Sequence, residues 1–449
     1  MSDRPVSPQI PPADLDPLDA IARWPRDAPL AALVSCDRHP EWSRWSILAS
    51  PVDCERIEAG DADPIGRIRA ILGDPGLPGA GPDEPPFAGG WLVALAYHLG
   101  RLIEPGARAP GGALSPAAPA AALLRCPGAY VHDQTTGHWR IVGDASVLPP
   151  LDDASTPAPW RVGAFRSDAD EAAYRAMVER AQAYIRAGDV YQVNMTRRLR
   201  APFTGDARAM FTHAARAMGA WSGAYMEIPG AGAVVSFSPE LLVDHRARTR
   251  RIVTRPIKGT QGAGEPPDAL LASEKDRAEL AMIVDLMRND LGRVCEFGSV
   301  RVENARALER HGGRGAIASS AVRHAVATVA GTRDARRDLA DIIGAVFPAG
   351  SVTGAPKVRA MQIIEELEGS PREWYCGSLG FVSDTGDMAL NVAIRSGWVR
   401  PGGDTLDYHI GAGIVADSDP ALEWRETCAK AAGFLRAVEC AALVREVSA

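Results

Sequence analysis

The sequence predicts an α+β fold, and three observations carry that expectation. Apolar residues alternate at period two in short runs separated by turn residues, as in hairpins and meanders of antiparallel strands. Helical periodicity falls in separate segments that flank those runs and do not alternate with them one for one. No short-period repeat is present. The chain has 449 residues, 46% of them apolar. That suffices for two or three domains, or for one large interlocked body.

Residues 1–19, rich in Pro and Asp, read as a flexible lead. Residues 20–150 follow as the N-terminal part of the fold. It has strands around 31–35 and 45–49, a Gly/Pro loop at 72–88, a buried strand at 89–97, a Pro/Gly/Ala segment at 105–120 and a hairpin over 129–143. The Pro/Asp/Ser-rich stretch that ends in 151–165 reads as a linker. Residues 166–449 carry a different texture. Helices are expected at 168–187, 206–218, 273–289, 336–345, 356–368 and 420–444. Strands are expected at 190–199, 220–227, 233–238, 241–244 and 251–254, with a meander over 376–410.

Composition narrows the function classes. The formal net charge of -7 gives no excess positive field for nucleic acid or an anionic membrane surface. No run of 18 apolar residues occurs, so no membrane-spanning helix is expected. The start lacks the basic and apolar regions of a signal peptide. The seven cysteines show no C-x-x-C spacing, which favours reduced thiols and a cytoplasmic protein.

Several segments could carry chemistry. Lys258 sits in Arg255-Pro256-Ile257-Lys258-Gly259-Thr260 and is the only charged side chain between Arg255 and Glu265. A lysine set between proline and glycine can be a solvated turn residue, a phosphate clamp or a nucleophile, and the segment alone favours the first. Asp276 and Glu279 share one helix face; Glu423 and Glu426 repeat the device on another. Together they could form an all-oxygen site for a hard cation such as Mg²⁺. Solvent exposure, or pairing with Arg277, Arg425 and Lys430, fits the same spacing. Gly411-Ala412-Gly413 after a strand lets backbone N–H groups approach an anion, or is a plain turn. Pro348 to Lys357 opens a helix with small residues, where Lys357 could meet an anion or lie at the surface. Arg395 could present a fork to a carboxylate or pair with a structural acid. His324, among apolar neighbours, reads as a packed histidine. The P-loop, dinucleotide fingerprint, nucleophile elbow and zinc H-E-x-x-H are absent. The residues thus reach a small anionic substrate in a polar cleft, with the reaction open.

These segments, taken in order, resemble the chorismate-utilising enzymes, and within them the branch of aminodeoxychorismate synthase component I. The resemblance covers nearly all of 165–440, most specifically Ser238-Pro239-Glu240, 255–260, 283–293, 350–361, and 411–415 with Glu423 and Glu426. It implies one α+β body of the anthranilate synthase component I type, with two stacked antiparallel sheets flanked by helices. It implies Mg²⁺ held by Glu279 and Glu426, with Asp276 and Glu423 near or through water. It implies substrate contacts from Tyr375, Arg395, Gly411, Ala412, Gly413 and Lys430, with Thr353 in the pocket segment and His324 near the reacting ring. Lys258 matches the nucleophile of the aminodeoxychorismate branch, where anthranilate synthases usually carry alanine. Glu240 matches the acid that protonates the departing hydroxyl. Gln192, with Asn194 beside it, stands where isochorismate and salicylate synthases carry a water-activating lysine. The implied reaction joins chorismate and ammonia into 4-amino-4-deoxychorismate. Since no glutaminase motif is seen, a separate glutamine amidotransferase is the expected partner. Anthranilate synthase component I and a non-catalytic scaffold for a glutaminase are the alternatives. Two features depart from the family pattern: 308–320 is more glycine-rich and basic, and Ala327 replaces a common serine.

Overall fold

The computed structural model describes residues 8–446, except 37–38, 40, 110–115, 152–157, 220, 263–265 and 312–321. Period-two alternation does what it predicts. In Gly90–Leu95, Leu92 and Ala94 turn to one face while Val93 and Leu95 turn to the other. In Ala121–Cys126, Ala122, Leu124 and Cys126 join the first face, and Ala121 and Leu123 the second. Strands apolar on both faces must be covered on both sides.

Two antiparallel sheets meet that requirement. The first runs in the order Gly354–Ala355, Gln192–Gly205, Thr405–Ile414, Ser396–Val399, Gly232–Ser238, Ser222–Ile228, Ala31–Val34, Trp45–Ala49, Gly128–Asp133 and His138–Gly143. The second begins at Ile257–Gly262 and continues through Val322–Thr332, Arg251–Arg255, Leu241–Arg246, Met388–Asn391, Ser378–Ser383, Gly90–Leu95, Ala121–Cys126 and Asp53–Ile57. Arg301–His311 pairs with the far side of Val322–Thr332. The inner faces pack on each other through one cluster that includes Ile47, Leu124, Val131, Met226, Val234 and Phe381. Much of this cluster is alanine, which lets the sheets stack closely. Helices cover the outer faces. Ala207–Met218 and Pro420–Glu446 pack on the first sheet, through Phe211 and Phe434. Glu171–Arg186, Glu274–Gly292, Leu339–Val346 and Lys357–Leu367 pack in the second cluster.

The helix starts follow their caps. Asp170, Asp206 and Ser273 each accept a backbone N–H of the first turn, and Asp338 forms a capping box with Asp341. The hairpin expected over 129–143 pairs Asp133 with His138 and Gly128 with Gly143. No helix among the described residues is long and apolar enough to cross a membrane.

Two boundaries differ from the sequence reading. The expected lead of 1–19 lies partly outside the described residues, and its second part packs: Leu15 and Leu18 are buried, and Pro17–Ala22 is helical behind the Asp16 cap. The linker at 151–165 lies partly outside as well, and its end forms Trp160–Val162, paired with Gln192–Gly205. Strands from 20–150 and from 166–449 interleave in both sheets, so that linker joins parts of one body.

A buried ion pair ties the long strand to the segment beside it. Arg372 and Glu368 are almost fully buried and bonded to each other at 2.6 Å. Arg372 also donates to the carbonyls of Val352 (2.8 Å) and Asn194 (2.6 Å), while Glu368 accepts the N–H of Thr196. Arg372→Met strands the carboxylate in the interior. It should cost about 3–5 kcal/mol of stability by urea unfolding, and Arg372→Met/Glu368→Leu should recover part of that loss.

Candidate active site

One end of the two sheets opens into a cleft of about 1710 Å³. The first sheet contributes Asn194, Gly411 and Gly413, and the second Lys258, Thr260 and His324. Helix Glu274–Gly292 adds Asp276 and Glu279; helix Pro420–Glu446 adds Glu423, Glu426 and Lys430. The same cavity reaches Leu18, Val34 and Ser35 of the N-terminal part.

Lys258 is not in a turn. It lies on the strand Ile257–Gly262, opposite Ala325, and the register shifts before Thr260 pairs with His324. Gly259 sits at that bulge with φ +82°, a left-handed conformation that favours glycine. The Asp276 carboxylate packs so close that a Cβ on Gly259 would lie 3.0 Å from its Cγ. The Lys258 side chain is 11% exposed, and Nζ lies 3.9 Å from Glu279 Oε2. Burial lowers its pKa, against the pull of Glu279 and with help from Lys430.

Glu240 is buried beside the start of that strand. Its Oε1 accepts from Ser351 Oγ at 2.6 Å and from the Ile257 N–H at 3.4 Å. Burial pushes its pKa up to about 7, although Ser351 and Lys258 favour the carboxylate. Burial thus moves the acid and the amine toward neutrality from opposite sides.

His324 hydrogen-bonds Thr260 Oγ1 through Nδ1 (3.0 Å), and Arg395 Nη2 lies 3.3 Å from its Nε2. Arginine can only donate, so Nε2 accepts and the proton resides on Nδ1. Burial and the Arg395 charge hold its pKa well below the usual histidine value. Trp221 stacks on His311 at 3.8 Å between ring centroids, and His311 meets His324 edge-on at 4.9 Å. Tyr375 lines the cleft and stacks on His409.

The four acids reach the cleft from two helices, but ammonium groups lie against them. Lys430 Nζ is 2.6 Å from Glu426 Oε1 and donates to the Gly411 carbonyl. Lys275 Nζ lies 4.0 Å from Glu279 Oε1 and 3.9 Å from Glu423 Oε1. Glu423 also accepts from Ser418 Oγ. Burial raises the pKa of Glu279 and of Glu423. For Glu426 burial acts upward too, and Lys430 with Lys275 and Lys258 together outweigh it, leaving a lowered value. Among the described residues no three His, Cys, Asp or Glu side chains converge as metal ligands. The donor set itself, carboxylate oxygens on two helices, suits a hard divalent cation.

Three expected residues stand elsewhere. Thr353 is fully buried behind the cleft wall, where it accepts from Tyr97 Oη and does not line the cavity. The hydroxyl in that segment facing the cleft is Ser351, which sequence reasoning missed. Ser351 lies in the 3-10 turn Gly350–Val352, which no period-two pattern marks in the sequence. Ala412 faces the apolar core between the two glycines. Lys357, a candidate anion contact, is held by Asp290 Oδ2 at 2.7 Å. Gln192 is fully buried, and among the described residues its amide has no hydrogen-bond partner. A Cβ on Gly413 would lie 2.8 Å from Gln192 Nε2 and 3.0 Å from Lys258 Nζ. Gly413→Ala should therefore cost about 1–3 kcal/mol of stability by overpacking. Gly433→Ala, with nothing within 4 Å, should gain up to about 1 kcal/mol from helix propensity. Chemical unfolding of both variants checks the pair.

The geometry agrees with comparisons to known proteins. Residues 57–436 match the family model described as chorismate binding enzyme. Aminodeoxychorismate synthase component 1 of Klebsiella aerogenes is 36% identical over 409 residues, 86% of this chain and 85% of that protein. Anthranilate synthase component 1 1 of Haloarcula marismortui is 42% identical over 306 residues, 66% of this chain and 58% of that protein. The chain thus spans less than two thirds of the length of that relative. The crystal structure of anthranilate synthase component I from Streptococcus pneumoniae TIGR4 superposes with a TM-score of 0.72 at 27% identity, covering 96% of this chain and 100% of that one. The chain belongs to the chorismate binding enzyme family.

Proposed function

We propose that this protein is the chorismate-aminating component of an aminodeoxychorismate synthase, working through a covalent bond to Lys258. The observation that supports it most is the pairing of a buried, pKa-lowered Lys258 with a buried, pKa-raised Glu240 in the same cleft. A lysine must be neutral to attack carbon, and an acid must be protonated to release hydroxyl.

The steps balance as follows. Lys258 Nζ forms a bond to ring C2, the double bonds shift, and the C4–O bond breaks. Glu240 gives its proton to the departing hydroxyl, which leaves as water. Ammonia then bonds to C4, the double bonds shift back, and the C2–N bond breaks, returning Lys258 as a neutral amine. The new ammonium gives one proton to Glu240, which restores the acid. Arg395 and the Gly411 and Gly413 backbone are suited to carboxylates of the substrate. His324, neutral with its proton on Nδ1, forms the wall beside the ring. Asp276, Glu279, Glu423 and Glu426 would hold Mg²⁺, which when bound supplies a positive centre for the ring carboxylate. Gln192 carries no basic group, so nothing at that position activates water as the nucleophile. The designation component 1 borne by the relatives supports a second component, here a glutamine amidotransferase that supplies ammonia.

Purified protein given chorismate, a magnesium salt and an ammonium salt should release aminodeoxychorismate, resolved from anthranilate by chromatography and fluorescence. Anthranilate as the main product would sink the reading. Lys258→Ala should abolish aminodeoxychorismate formation, and unchanged turnover excludes the covalent route. In the wild type, kcat/KM should show an ionisation near pH 7 that belongs to Glu240, opposed by the need for a neutral Lys258, and Glu240→Gln should remove that ionisation from the profile. Glu240→Gln should lose on the order of 10²–10⁴-fold in kcat.

A further inference from the structure

Three lysines stand against Glu279, Glu423 and Glu426 of the cleft, and two of them have work elsewhere in the proposed reaction. Lys258 is its nucleophile, and Lys430 lies beside the Gly411 carbonyl at the substrate wall. Lys275 has no such part. Its ammonium nonetheless spans the two acid pairs, 4.0 Å from Glu279 on its own helix and 3.9 Å from Glu423 on the last helix. Of the three it is the one whose ion pairs join both helices.

We infer that Lys275 is a displaceable stand-in cation: it holds the acid pairs of the two helices together in the metal-free enzyme and yields its place when a divalent cation binds. The inference rests on the reading of those acids as a metal site. The physical argument is one of charge. Glu279 and Glu423 are largely buried, and like charges brought together without a counter-ion repel. A flexible ammonium relieves that repulsion without closing the site. At the observed separations it makes no short hydrogen bond to either acid, so displacing it breaks none. The side chain is 55% exposed and can swing into water.

The test measures binding, not turnover. Mn²⁺ is titrated into the substrate-free protein and followed by electron paramagnetic resonance, for wild type, Lys275→Met and Lys275→Arg. Removing a competing cation that makes two long ion pairs from an exposed lysine should tighten Mn²⁺ binding about 3–10-fold in Lys275→Met, while Lys275→Arg stays near wild type. Thermal unfolding adds a second readout. Lys275→Met should melt below wild type without metal, and saturating Mn²⁺ should close the gap. Unchanged or weaker binding in Lys275→Met, with wild type binding normally, overturns the inference and leaves the metal reading intact. No Mn²⁺ binding by wild type overturns the metal reading and this inference with it.

Discussion

The ladder between Gln192–Gly205 and Thr405–Ile414 is the constraint on which the site depends. It pairs Val193 with Ile414, Asn194 with Gly413 and Thr196 with Gly411, and continues to Pro202 opposite Thr405. A slip of one residue would turn Gln192 and Asn194 out of the cleft side of the strand and Met195 into it. The slip is resisted from both faces. Val193, Met195, Ala412 and Ile414 fill the core on one side, and Arg372 grips the Asn194 carbonyl from its buried pair with Glu368. The same strand pair leads into the last helix, and so fixes where Glu423 and Glu426 enter the cleft.

The contrast between what was legible in the sequence and what was not follows the physics of each element. Helices with a side-chain cap were placed within a few residues, because the Asp170, Asp206 and Ser273 caps act locally. Strands with two apolar faces, such as Gly90–Leu95, were equally plain. Arg301–His311 and Val322–Thr332 were not, since the first is rich in charged residues and only its pairing holds it extended. Ile257–Gly262 was hidden for a related reason. Its proline and glycine speak for a turn, and only the long-range partner strand makes it a bulged edge strand. The site divides in the same way. Charged and glycine residues at fixed spacings showed the acids, Arg395 and the Gly411–Gly413 segment. The choice between Ser351 and Thr353 depended on how the short turn Gly350–Val352 is seated against the cleft, and its long-range packing decides that.

Burial is the common cause of the electrostatics in the cleft. It raises Glu240, Glu279 and Glu423 and lowers Lys258 and His324. A solvated cleft with the same residues would hold ordinary carboxylates and an ordinary ammonium, without the shift toward neutrality that the proposed reaction calls on. The residues that exclude water are therefore as much a part of the chemistry as those that react. Trp221 stacked on His311, and His311 set edge-on against His324, form one such wall.

The branch reading rests on two positions, and they meet at one atom. Gln192 Nε2 and Lys258 Nζ both crowd the place where a Cβ on Gly413 would sit. A glycine there is what lets an amide from one sheet and an amine from the other reach the same point. In the proposed chemistry one of those groups decides whether water is activated and the other whether a covalent amine forms. In that reading both positions lie at one junction of the two sheets, on either side of Gly413. The unpartnered amide of Gln192 fits that picture. A buried amide without a partner is costly, so stability alone does not account for Gln192 at this place.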